Sequence, residues 1–253
     1  MHPILCEIGG FPIKVYGLIV AAAFLTAIYL SSMLAKKEGF DKDVMIDLGI
    51  ASIIGAVIGS RLLYVGVWWQ YYAKHIPEIF MLWQGGLVFY GGFIGAVLAC
   101  WWWISRKKLS FWKLGDIAAP FIALAHSMGR IGCFFNGCCY GAVDYKHGLI
   151  FPGAGDNLPH FPIQLVESVC NFLNFVVLIL VFKYKRKADG QVFSLYFLNY
   201  GIIRFVLEFF RGDAERGTIL FISTSKFISI FMILAGIAGL IYTWKTQKRS
   251  TQA

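Results

Sequence analysis

The sequence predicts an all-α membrane protein of seven transmembrane helices, with an irregular, re-entrant outer segment between the fourth and fifth. Three observations carry this expectation. The 253 residues are 58% hydrophobic and only 15% charged, and the mean hydropathy of +0.66 is too high for a water-facing globule. Apolar runs of about 20 residues, the length that crosses a bilayer, recur along the whole chain. Lys and Arg alternate in density from one connection to the next. Seven short-looped helices use up the chain, so 1–253 reads as a single integral-membrane domain with no room for a sizeable soluble head. That excludes a nucleic-acid enzyme and nucleic acid as a partner. The net charge of +9 is then an orientation signal.

The expected spans are 13–34, 44–69, 85–104, 114–129, 162–182, 192–210 and 227–244. Before the first lie Glu7 and no Lys or Arg until Lys14, so a cleaved secretion signal is not expected. The second and third carry Gly55 and Gly59, and Gly91 and Gly95, a small-xxx-small spacing read as close helix packing. Asp47 and Arg61 share a face of the second span but stand about 21 Å apart by helical rise, so they cannot pair. After the fourth span, a connection from about Gly129 to Phe161 holds Gly129, Gly132, Gly137, Gly141, Gly148, Gly153 and Gly155 with Pro152 and Pro159. It is not one continuous helix. Its first half, GRIGCFFNGCCYG, is too apolar for an aqueous loop, and irregular backbone at membrane depth survives where protein or a wet cavity covers it.

Connections after the first, third, fifth and seventh spans hold fourteen Lys and Arg against seven on the alternate side, which puts the N-terminus outside and the C-terminus in the cytoplasm. Eleven of those fourteen are Lys, whereas Arg61, Arg130, Arg204, Arg211 and Arg216 fall within spans or on the outer side. Lysine suffices for topology; a planar guanidinium fork suits phosphate. The outer half is therefore expected to hold an anion, with ion pairing to acids such as Asp213 and Glu215 as the structural alternative. In the sixth span, Tyr200, Arg204, Glu208 and Arg211 fall within about 80° on a helix. Glu208 can pair with Arg204 or Arg211, and two Arg with one Glu leave a spare positive charge.

Cys133, Cys138 and Cys139 lie together on the outer side, but without a two-residue chelating pair or a partner motif no metal is assigned. A Cys133–Cys138 disulfide or buried thiols are both open readings. His126 and His160 flank the loop as groups able to titrate near neutrality.

These residues resemble a known family. The stretch from Asp116 through Pro120 to Arg130, continuing through GRIGCFFNGCCYG to Gly141, resembles the signature of the prolipoprotein diacylglyceryl transferases of bacterial cytoplasmic membranes. Further matches are Val15-Tyr16-Gly17, GSRLLYV with Arg61 and Tyr64, GGLVFYGGFIG around Tyr90, FPIQLVE ending at Glu167, and NYGIIRFVLEFFR with Tyr200, Arg204, Glu208 and Arg211. The resemblance implies seven spans with the N-terminus outside, a monomer, and no cofactor or metal. It implies that phosphatidylglycerol donates its diacylglyceryl unit to the lipobox cysteine thiol of a preprolipoprotein, forming a thioether and expelling glycerol phosphate. By the same resemblance Arg130 and Arg204 hold the phosphate and meet the developing charge. Tyr16, Arg61, Asn136, Gly141, Tyr200, Glu208 and Arg211 line or brace the lipid site, and Tyr90 occupies a catalytic position.

Four positions depart from the family pattern, which has His at Tyr90, Asn at Cys133, Glu at Cys138 and Tyr at Val166. A phenol is normally protonated at neutral pH, so Tyr90 is a poor base for a thiol. Either Tyr90 donates a hydrogen bond while water, His126 or His160 takes the proton, or the family's His is not obligatory; the second is favoured. Cys138 in place of an acid leaves the surroundings of Arg130 more cationic. Two other functions remain open on the sequence: a paralogue that uses phosphatidylglycerol with another acceptor, and an anion-pathway transporter.

Overall fold

The computed structural model describes residues 4–8, 11–212, 218–219 and 222–252. Asp213, Glu215 and Arg216 lie outside the described residues. A short antiparallel hairpin, β1 (Ile4–Ile8) and β2 (Phe11–Lys14), leads into α1 (Val15–Lys37) and α2 (Asp43–Val67). One turn, α3 (Trp69–Tyr72), and two 3-10 turns follow, then α4 (Phe89–Arg106) and α5 (Phe111–Asn136). A two-residue ladder of β3 (Leu149–Ile150) and β4 (Pro159–His160) precedes α6 (Ile163–Tyr184) and α7 (Gln191–Leu207). A second ladder, β5 (Thr218–Ile219) with β6 (Ile222–Ser223), precedes α8 (Thr224–Gln252).

Among the described residues six helices are long and apolar enough to cross a membrane: α1, α2, α5, α6, α7 with its terminal 3-10 turn, and α8. Large apolar side chains such as Leu25, Leu62, Ile122, Leu173 and Phe231 lie exposed along them. That is the surface a bilayer covers and water does not. The expected third span, α4, has 18 residues and falls outside this set; Trp101, Trp102, Trp103 and Arg106 reduce its apolar character.

The chain divides into two units. In Ser32–Leu114, α2 and α4 touch backbone to backbone. A Cβ on Gly55 or Gly59 would strike the carbonyls of Gly95 and Gly91 respectively, so the small-residue spacing is a packing device as expected.

The other unit joins the first 31 residues to Gly115–Ala253. Ile117, Ala119 and Ala123 of α5 are completely buried, as is Leu178 of α6. Polar clamps tie its helices, with Ser127 and Ser168 hydroxyls 3.1 Å apart between α5 and α6, and the Asn199 amide donating to Asn174 Oδ1 at 2.9 Å between α7 and α6. Asp116 of α5 accepts the backbone N–H groups of Gly190 and Phe193, each at 2.8 Å, and so caps the start of α7 from a different helix. Gly236 and Gly239 let α8 approach Leu198 and Ser194 of α7.

Two expected boundaries are corrected. The helix expected to end at Gly129 runs on to Asn136, because Gly129 and Gly132 cost helix stability without breaking it. It stops at Gly137, where φ is +72°. Gly137 N–H donates to the Phe134 carbonyl at 3.1 Å and Cys138 N–H to the Cys133 carbonyl at 3.2 Å, the paired bonds of a Schellman cap. Second, α7 ends at Leu207, and Arg211 is extended with φ −84° and ψ 141°, off the helical stripe on which the sequence places it.

Candidate active site

The site is built around one buried carboxylate. Glu167, the only acid in α6, has no solvent exposure. Its Oε1 lies 2.9 Å from Arg130 Nη2 of α5, and its Oε2 lies 3.6 Å from Arg211 Nη1. Among the described residues neither oxygen accepts an aligned hydrogen bond, so these are ion pairs by distance and not by direction. His126 Nε2, one helical turn before Arg130, stands 3.9 Å from Oε1, and its ring lies 4.8 Å from that of Tyr200. Tyr200 in turn stacks on Tyr196 at 5.9 Å.

A second pair lies at the end of α7. Arg204 Nη2 is 2.7 Å from Glu208 Oε2 and donates to the Ser225 hydroxyl at 2.8 Å, while Ser223 donates to Glu208 Oε1 at 2.9 Å. Of the two partners the sequence offers Glu208, the structure brings it Arg204. Arg211, released by the end of the helix, goes to Glu167 instead. Three guanidiniums thus meet two carboxylates. Arg130 Nε and Arg204 Nη1 are buried donors that meet no acceptor among the described residues. Buried donors are normally satisfied, so an anion with several oxygens fits here.

The neighbouring residues set these positions. Gly132, two residues after Arg130, meets Tyr16 of α1, whose ring would lie 3.2 Å from a Cβ at this glycine. Gly141 pairs with Arg211 as an antiparallel bridge. Its N–H donates to Phe161 O at 2.8 Å, and a Cβ there would stand 2.8 Å from the carbonyls of both Phe161 and Phe210. Gly141 therefore fixes Arg211 through backbone. Its carbonyl accepts from His160 Nδ1 at 3.0 Å, and His160 Nε2 lies 2.9 Å from Asp156 Oδ2, so both nitrogens of His160 are engaged. Asp156 is held below the usual carboxylate range chiefly by the Leu158 N–H, then, against burial, by His160. Asn136 is the exposed last residue of α5.

Arg61 and Tyr90 belong to the other unit. Arg61 is buried and spends its five N–H donors on carbonyls: Nε on Ile79 at 2.9 Å, Nη1 on Gly85 and Gly86 at 2.7 and 3.3 Å, Nη2 on Glu78 and Met81 at 2.5 and 3.4 Å. The rings of Tyr64 and Tyr72 flank it. It braces the segment that leads into α4. Tyr90 is exposed on the first turn of that helix, its ring 5.8 Å from Phe89. The sequence reading quoted Glu167 without assigning it a role; the signal that marks it is an acid alone in an apolar span.

The family model for prolipoprotein diacylglyceryl transferase matches residues 3–242. The chain is 38% identical over 244 residues to the phosphatidylglycerol–prolipoprotein diacylglyceryl transferase of Clostridium tetani, covering 94% of this chain and 96% of that protein. It is 35% identical over 237 residues to the Finegoldia magna protein of that name, covering 94% of each. To the Listeria innocua protein it is 33% identical over 255 residues, covering 96% of this chain and 90% of that protein. With a match of this extent, and with buried guanidiniums gathered where the sequence motifs lie, the chain belongs to the prolipoprotein diacylglyceryl transferase family.

Proposed function

We propose that this protein transfers the diacylglyceryl group of phosphatidylglycerol to the lipobox cysteine of a preprolipoprotein. The thiol sulfur forms a bond to the terminal glycerol carbon, the bond from that carbon to the phosphate oxygen breaks, the electron pair leaves on glycerol phosphate, and the thiol proton passes to water. Arg130 and Arg204 hold the phosphate and meet the charge that develops on it. The observation that carries this reading is the pair of buried donors, Arg130 Nε and Arg204 Nη1, that meet no acceptor among the described residues. Tyr16, Tyr200, Glu208, Arg211 and Asn136 line the lipid site and Gly141 braces it, while Arg61 braces the segment that leads into α4. Tyr90 stands where the family pattern has His, and in this reading a base at that position is not obligatory.

In this reading α4 is the seventh span, since its 18 residues extend about 27 Å, close to the thickness of a hydrocarbon core. The charge distribution then supports an outer N-terminus, a cytoplasmic C-terminus and residence in the bacterial cytoplasmic membrane. The connection after α5 is the outer cover of the site. The family match, continuous over residues 3–242, supports one functional domain.

The test is a lipobox peptide incubated with purified protein and phosphatidylglycerol vesicles. A mass gain of one diacylglyceryl unit, with release of glycerol phosphate, is the expected result. Lipid consumed without peptide modification would overturn the acceptor, and an unchanged lipid pool with anion flux across the vesicles would overturn the reaction.

A further inference from the structure

The cap that ends α5 also gathers sulfur. In a Schellman cap the residue three before the helix cap and the residue immediately after the capping glycine are brought into contact, usually as an apolar pair. Here those two positions are Cys133 and Cys138, and the Cys138 thiol lies 3.7 Å from the Cys133 carbonyl. Cys139 follows with φ +65°, so the chain turns again at once. The fully buried Gln164 of α6 donates to the Cys138 carbonyl at 2.8 Å and anchors the turn. As a result the three Sγ atoms lie within 4.8 Å of one another, all partly buried and in thiol form. A tetrahedral or trigonal ion with metal–sulfur bonds of about 2.3 Å needs sulfurs about 3.8–4.0 Å apart, so small side-chain movements close the set.

We propose that Cys133, Cys138 and Cys139 form a three-thiolate site for a thiophilic divalent ion of the Zn²⁺ class, and that its occupation opposes anion capture by Arg130. Soft sulfur ligands without a carboxylate select zinc-like ions over magnesium or calcium. Three mutually adjacent thiols, where a disulfide uses two, favour a metal over a bridge. Binding releases three protons, and three thiolates with one divalent ion leave a net charge of −1. Cys133 stands one helical turn beyond Arg130 on α5, so that charge lies beside a cation assigned to the headgroup. The second half of the proposal rests on the transferase reading.

The experiment uses the full chain in detergent micelles, stripped with a chelator and titrated with Co²⁺. We expect thiolate-to-cobalt charge-transfer absorption saturating at one equivalent, displaced by Zn²⁺. Binding should be at least tenfold weaker in Cys139→Ser and unchanged in Cys100→Ser, whose thiol lies in the other unit against Leu48 O. Zn²⁺ should also protect three thiols of the wild-type protein from alkylation, counted by mass, a readout independent of any variant's folding. Absence of the absorption, or its persistence in a Cys139→Ser protein that melts like wild type, would overturn the site. One equivalent of Zn²⁺ should lower peptide modification at least tenfold, reversibly with chelator, in wild type and not in Cys139→Ser. Metal binding with unaltered transfer overturns the regulatory half. A metal-free enzyme that transfers nothing overturns the transferase reading and leaves the cobalt absorption to judge the thiolate site alone.

Discussion

The Arg130 guanidinium lies 2.9 Å from the Glu167 carboxylate, and the far oxygen of that carboxylate lies 3.6 Å from Arg211. One acid from α6 thus spaces two cations from different parts of the chain. Breaking a buried pair by removing one partner costs about 3–5 kcal/mol, because the other charge is left uncompensated. Glu167→Gln keeps the volume and removes the charge. We expect a lower melting temperature in detergent and a fall in peptide modification of at least tenfold. Wild-type values of both would remove Glu167 from its positioning role.

Arg204 reaches Glu208 and Ser225 with one nitrogen while Nη1 remains for the anion. A lysine ammonium is a point charge and cannot hold two sets of contacts in a fixed plane. Arg204→Lys should therefore lose most of the transfer activity while staying folded by circular dichroism, and Arg130→Ala and Arg204→Ala should each abolish turnover. Full activity in Arg130→Ala defeats the assigned role of that residue.

Tyr90 is exposed at the start of α4. In Tyr90→Phe, peptide modification should persist within a few-fold of wild type, as a position without a proton-transfer role requires. A loss of a hundredfold or more would return proton transfer to this position.

Arg61 gives a prediction of the opposite kind, stability ahead of chemistry. Orphaning a buried carbonyl costs about 1–3 kcal/mol, and Arg61 serves five. Arg61→Ala should destabilise the protein by at least about 3 kcal/mol and open 76–86 to proteolysis. Protease resistance equal to wild type would show that the segment holds without it.

The acid limb of stability should involve the connection between α5 and α6. Asp144 lies below the usual carboxylate range through the N–H groups of Lys146 and His147, and Asp156 chiefly through Leu158 N–H. A carboxylate depressed on folding contributes stability above its unfolded value near 4, and that contribution is lost as pH falls through the lower folded value. Hydrogen exchange in 141–161, corrected for intrinsic rate, should be flat from pH 7 to 5 and rise below about 4. Asp156→Asn should remove part of that rise.

The long helices were legible because twenty apolar residues admit few other structures in a bilayer, and the Gly55 and Gly59 contact with Gly91 and Gly95 because its spacing is local. The end of α5 was misjudged where glycines were counted as breakers. Gly129 and Gly132 sit inside the helix, and Gly137 ends it because it takes a positive φ. Arg211 was placed on a helical stripe by periodicity, whereas its extended backbone is set by pairing with Gly141, 70 residues earlier in the sequence. Two-residue ladders such as that of Leu149–Ile150 with Pro159–His160 leave no periodic trace, since long-range hydrogen bonds define them. Glu167 and Glu208 carry the site's acids. The sequence named the second from helical spacing and passed over the first, whose partners come from α5 and from beyond α7.

The tie between Gly141 and Arg211 continues on both sides, with Ala142 N–H donating to Phe210 O at 3.0 Å and Phe161 N–H to Ala142 O at 3.0 Å. The Arg211 guanidinium is thus hung from a peptide crossbar whose two ends come from separate stretches of chain. One residue added at the crossbar would turn Arg211 toward the opposite face. Length, more than composition, is what this rim of the molecule must preserve.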